Sequence, residues 1–178
     1  MTPRDDLLDR AMQHVAVNGL SDSSLRELAT GSGTSHRMLI YHFGSRDGLV
    51  AGIVERMEAN QRASLLALAE RAASPADVIR AQWTQLAADS VRPFVALFFE
   101  VTALAIRERP GTERFLERLT EPWISVASEA ARRMKTPMNT AELRLGIAVV
   151  RGLLLELLIS GDLDEVTESL ERFLAMWG

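Results

Sequence analysis

The stretch SLRELATGSGTSHRMLIYHFGSR, residues 24–46, decides the fold. Ser24 with Glu27 three positions on forms a capping box, in which each side chain satisfies the other's backbone N–H. It opens a short helix over residues 24–30. Residues 31–35, Gly-Ser-Gly-Thr-Ser, then make a tight turn, where Gly33 is free to take a positive φ. Ser35 caps the next helix, His36–Phe43, and Gly44 with Ser45 ends it. Ala29 is small, so the two helices can approach closely. Two short helices joined by a glycine-containing turn, with a further helix ahead of them, make a helix-turn-helix.

At about 100° per residue, Leu39 and Phe43 share one face of the second of these helices. Thr34, Arg37, Met38 and Tyr41 point the opposite way. From residue 31 to residue 46 the charged side chains are Arg37 and Arg46, with His36 and His42 beside them and no carboxylate. Residues 1–47 as a whole hold five Arg against six Asp and Glu, so the basic character is confined to this segment. An outward face of Arg, Tyr and a small hydroxyl suits the base edges of a major groove. A merely solvated surface is the competing reading, and spacing alone leaves the two even.

Outward from this stretch the chain keeps helical period. Leu7, Leu8, Ala11, Met12 and Val15 form an apolar stripe ahead of it, with Asn18 and Gly19 as the expected C-cap. A long helix begins at Arg46, with Leu49, Val50, Ile53, Val54 and Met57 on its inner face. Ser74-Pro75 starts a helix over 76–89, and Arg92-Pro93 starts one reaching residue 108. A helix is expected over 113–134, bent near Pro122. The last two span 140–160 and 163–177. No stretch alternates as a strand would. The fold class is all-α, with about nine helices: a helix-turn-helix domain at 1–46 and a helical bundle at 47–178.

The run Leu25-Arg-Glu-Leu-Ala29, Gly33-Thr-Ser35, Leu39-Ile-Tyr-His-Phe43, Ser45-Arg46 and Leu49 resembles the N-terminal DNA-binding domain of the TetR/AcrR family of transcriptional regulators. The resemblance is specific over roughly residues 7–54. It implies a homodimer that binds a palindromic operator and releases it when a small molecule enters the C-terminal domain. The family often has Gly where Arg37 stands, Tyr where Ile40 stands and Lys where Arg46 stands. By position, His36, Arg37, Met38 and Tyr41, with Thr34, are the base-reading candidates. Ser24, Arg26, Ser35, His42 and Arg46 are the candidates for contacts that position the DNA backbone.

In the last helix Leu163, Val166, Leu170, Phe173 and Trp177 follow steps of three and four, a heptad seam. The preceding helix is apolar almost all round, more than one chain can cover. Both are assigned to dimerisation, with Leu155 and Arg151, and Arg144 and Arg151 are expected in ion pairs across the interface. The middle helices hold Trp83, Phe94, Phe98, Phe99 and Trp123, with Met57 before them. The resemblance makes this region the effector pocket, although such stripes are more often plain core. Glu100 stands in an otherwise nearly apolar helix, so a buried carboxylate with a ligand or an Arg partner is expected there. The effector expected is apolar or aromatic.

Composition removes most enzymes. There is no cysteine, hence no thiolate chemistry, and the three histidines all lie before residue 43, so no metal site or His-dependent triad is expected later. No Glu-x-x-His, P-loop, dinucleotide fingerprint or Gly-x-Ser-x-Gly occurs. No cofactor is expected. A formal net charge of −4 excludes a general polycation, so DNA contact must be local. Residues 1–9 are polar and not a signal peptide, and Arg151 and Glu156 interrupt the most apolar stretch, which argues against a membrane span. The reading is a cytoplasmic, ligand-responsive, dimeric DNA-binding regulator, with repression the expected sign. The alternative is a helical interaction module or an all-α enzyme without DNA binding.

Overall fold

The computed structural model describes residues 2–18, 24–110, 112 and 114–177. Among these residues the chain forms nine α-helices and no strand. They are α1 (Pro3–Asn18), α2 (Leu25–Gly31), α3 (His36–Phe43), α4 (Arg46–Ala69), α5 (Pro75–Leu86), α6 (Arg92–Ile106), α7 (Glu121–Arg133), α8 (Thr140–Ser160) and α9 (Leu163–Trp177). The all-α expectation holds. One boundary is corrected: the helix expected from residue 113 starts only at Glu121, after a short 3-10 turn at Leu116–Arg118. Pro122 has no N–H to donate and fits in a helix's first turn, not its interior. The sixth helix also ends early, at Ile106, and Glu108 turns the chain with a φ of 54°. The expected cap at Gly19 lies outside the described residues.

The chain divides into two compact units, Met1–Glu58 with Glu100–Leu116, and Ala59–Phe99 with Glu117–Gly178. In the first, the apolar stripe of α1 (Leu7, Leu8, Ala11, Val15) is buried, as are Leu28 and Ala29 of α2 and Leu39 and Phe43 of α3. So are Leu49, Val50, Ile53 and Val54 of α4. Gly31 allows α2 to press on α1, for a Cβ there would run into the His14 ring. His14 is therefore a packing residue. Arg56 of α4 donates to Asp5 and to Asp9 of α1, at 2.8 Å each, fixing the long helix against the first.

The second unit has two cores. Trp83, Ala87, Val95, Leu154, Leu157, Val166, Leu170 and Leu174 form one. Leu65, Ala69, Val78, Trp123 and Ala130 form the other. Ser74 caps α5 by accepting from the Asp77 N–H. The Trp83 indole N–H donates to the Thr167 hydroxyl at 2.9 Å, joining α5 to α9. Outside that core Arg80 grips the Glu171 carboxylate with both Nε and Nη2, at 2.8 Å each. These hydrogen bonds are the chief reason that the Glu171 carboxyl is held below its ordinary range.

The seam of α9 lies largely against the chain's own core. Val166 and Leu170 lie inside the chain's own core, 3% and 0% exposed. Phe173 and Trp177 stack on one another with ring centres 5.2 Å apart and pack against the same core. Of the five seam residues Leu163 remains exposed. An amphipathic helix buries its stripe in the nearest apolar surface, and here α5 and α8 supply it.

A candidate nucleic-acid interface

Residues 24–46 fold as their local chemistry dictates. Ser24 Oγ accepts from the Glu27 N–H at 3.3 Å, and the Glu27 carboxylate accepts from the Ser24 N–H at 2.6 Å. That backbone hydrogen bond lowers the Glu27 pKa, so the carboxylate stays charged at the start of α2. The turn closes through Ser32 N–H to the Leu28 carbonyl and Thr34 N–H to the Ala29 carbonyl, both 2.9 Å. Gly33 takes a φ of +63° there, a conformation that costs a residue with a Cβ. Ser35 Oγ then accepts from the Met38 N–H at 3.2 Å and starts α3. Gly44, with φ 74°, ends it.

This geometry sets the two faces of α3. Leu39 and Phe43 are buried. His36, Arg37, Met38 and Tyr41 are exposed, Tyr41 at 78%. Thr34 and His42 are half-buried, as is Arg46 at the start of α4. Ser24, Arg26 and Ser35 are exposed, and both serines spend their hydroxyls on caps. The ring of His42 meets Tyr41 edge-on with centres 5.0 Å apart.

Two cations beside this segment escaped the sequence reading. Arg10 Nη1 donates to the Gly33 carbonyl at 3.3 Å, which places a guanidinium at the turn. Arg4 Nε reaches the His42 carbonyl at 3.4 Å and its guanidinium lies 4.9 Å from the Phe43 ring centre. Both belong to α1, more than 20 residues earlier, among Asp5, Asp6 and Asp9. Arg10 also pairs with Asp6 at 3.2 Å, so part of its charge is already balanced. Their spacing offered no signal, since residues six apart on a helix point about 120° away from one another.

The other candidate residues are less gathered. Met57 and Glu100 belong to the first compact unit, and Trp83, Phe94, Phe98, Phe99 and Trp123 to the second. Phe98 and Phe99 meet edge to face at 5.1 Å, and Arg151 lies over Phe98 at 5.4 Å. Trp83 and Trp123 are core members, 3% and 8% exposed. Phe94 is half-buried. The expectation of a buried carboxylate at Glu100 is corrected: the residue is exposed, so no desolvation demands a partner. A helix at a surface tolerates an acid on its wet side whatever its other faces carry. Arg144 and Arg151, expected in ion pairs across an interface, are engaged within the chain. Arg144 pairs with Glu121 at 2.8 Å, and Arg151 donates to the Leu119 carbonyl at 2.6 Å.

On α8 the second apolar face stays open. Leu145, Leu155 and Ile159 are exposed, with Ala148 and Gly152 between them. Their steps of three and four make a continuous stripe along the helix.

Helices α2 and α3 with the turn between them have the arrangement of a helix-turn-helix. Residues 7–53 match the family described as bacterial regulatory proteins, tetR family. Solved structures extend the fold over the whole chain. One, described as a TetR-family transcriptional regulator from Rhodococcus sp., is 21% identical, with 98% of each chain covered and a TM-score of 0.70. A transcriptional regulator from Rhodococcus sp. Rha1 is 19% identical, with 98% of this chain and 95% of that one covered and a TM-score of 0.71. Thermus thermophilus FadR, a TetR-family transcriptional repressor solved with lauroyl-CoA, is 16% identical, with 98% and 92% covered and a TM-score of 0.69. No curated protein sequence matches the chain significantly. The chain shares the fold of these solved structures over nearly its whole length. No helix among the described residues is long and apolar enough to cross a membrane.

Proposed function

We propose that the chain is a ligand-responsive transcriptional repressor that binds a near-palindromic operator as a homodimer. The observation that carries the reading is the outward face of α3, exposed and free of carboxylates, inside the segment that matches the tetR family. In this reading residues 1–46 hold the DNA. Arg37, His36, Met38 and Tyr41 face the bases, while Arg46, Arg26 and His42 position the phosphates, with Arg4 and Arg10 added to their charge. Ser24 and Ser35 act indirectly, by capping the two helices.

The open stripe of α8 supports the dimer. Leu145, Leu155 and Ile159 cover a helix whose other face is already buried, and Ala148 and Gly152 let a second helix approach closely. Leu163 extends the stripe onto α9. The half-buried aromatics Phe94, Phe98 and Phe99 support an apolar effector in the second unit, and a fold relative solved with lauroyl-CoA fits such a ligand. Residue by residue, Trp83 and Trp123 are better explained as core. Coupling would run through α4, which starts at Arg46 and is continuous to Ala69.

Capture of genomic fragments by the purified protein, followed by sequencing, tests the proposal. The expected result is an enriched near-palindrome with half-sites about one helical turn apart or slightly more. A fragment population no different from the input would sink it.

A further inference from the structure

We infer that α3 reads thymine 5-methyl groups, so that the operator half-site presents thymines to Met38 and Tyr41 beside a single guanine at Arg37. The inference rests on the DNA-binding reading and gives its base chemistry. Residues 31–46 contain no Asn, Gln, Asp or Glu. The bidentate pairing that marks adenine needs Asn or Gln, and acceptance from the cytosine amino group needs Asp or Glu. Neither is available on this helix. Arg37 can take the two acceptors of a guanine. Beside Arg37 the outward face carries the ring nitrogens of His36 and the apolar Met38, 41% exposed, and Tyr41, 78% exposed, with the methyl of half-buried Thr34 alongside.

These side chains have no inward task, because Leu39 and Phe43 already fill the inner face of α3. In a major groove the one apolar group on any base edge is the 5-methyl of thymine. The flanking Arg37 and Arg46, with no carboxylate between residues 31 and 46, match a phosphate-lined groove better than a protein surface. Met38 is the adaptable contact, since its thioether chain can follow a methyl that shifts by a fraction of an ångström.

The test begins by selecting tight-binding duplexes from a random 30-base-pair pool. The best duplex is then made twice, once with thymine and once with deoxyuridine at every thymine position, which deletes only the methyls. Losing one buried methyl should cost about fourfold in affinity, so a two-fold site should bind the uracil duplex about tenfold more weakly or worse. Met38→Ala and Tyr41→Ala should weaken binding to the thymine duplex and bring the thymine-to-uracil ratio towards one. Arg37→Ala should weaken both duplexes and leave the ratio intact. A native ratio of one overturns the inference while leaving DNA binding standing, and so does a ratio that neither Met38→Ala nor Tyr41→Ala reduces. Failure to select any duplex overturns the DNA-binding reading and this inference together.

Discussion

Helix α9 has one apolar seam and buries it; helix α8 has two and buries one. In α9 Val166, Leu170 and Leu174 fill the chain's own core, and Glu165, Glu168 and Arg172 face water. In α8 Leu154 and Leu157 join that same core, yet Leu145, Leu155 and Ile159 remain outside. Two stripes of the same three-and-four spacing therefore differ in what covers them. An apolar seam reports only that something covers it. A second copy is called for where apolar surface is left over after the chain's own core is satisfied.

Four variants break or sharpen this contrast, in falling order of effect. Leu170→Ala removes a fully buried side chain from α9 and should cost about 2–5 kcal/mol in denaturant unfolding. A loss within a few tenths of a kcal/mol would mean that the seam is not core. Leu155→Glu with Ile159→Glu should leave helical content intact and give monomers by light scattering, since each lost apolar contact is worth about 1.5–3 kcal/mol of association. Persistence of a dimer would remove α8 from the interface. Trp83→Phe deletes the hydrogen bond to Thr167 and should destabilise by about 0.5–1.5 kcal/mol, without changing the oligomeric state.

The smallest effect lies on the wet side of α9. The Glu171 carboxyl is held below its ordinary range chiefly by hydrogen bonds from Arg80. Its folded pKa is lower than its unfolded one, so the stability it adds is present above the ordinary carboxylate pKa and is lost as the pH falls through the lowered value. Unfolding curves across the acid range should show Glu171→Gln differing from the native chain at neutral pH and converging with it in acid. Parallel curves throughout would assign the acid response to other carboxylates.

The contrast also shows what a sequence can carry. Residues 24–46 were legible because capping boxes, glycine turns and inner-face leucines are local: Ser24 with Glu27, Gly33, and Leu39 with Phe43 all behave as their spacing dictates. Periodicity alone could not place the seam of α9, because whether Leu170 meets α5 and α8 or another chain is a tertiary fact. Glu100 misled for a related reason: an apolar helix was taken as a buried one, although one face of α6 stays wet. Arg4 and Arg10 were invisible because their neighbours in sequence are acids, whereas the fold sets Arg4 at the end of α3 and Arg10, still paired with Asp6, at the turn.

The assignment of DNA reading to the outward face of α3 is tested most directly by one pair of affinities. The captured genomic fragment and a scrambled duplex of equal length and composition are titrated with the native chain and with Arg37→Ala, at one fixed salt concentration. Arg37 is exposed, so its removal leaves the fold intact. The preference for the captured fragment should fall by about 1–3 kcal/mol, with little change on the scrambled duplex. Full retention of the preference, or an equal loss on both duplexes, would contradict base reading by α3.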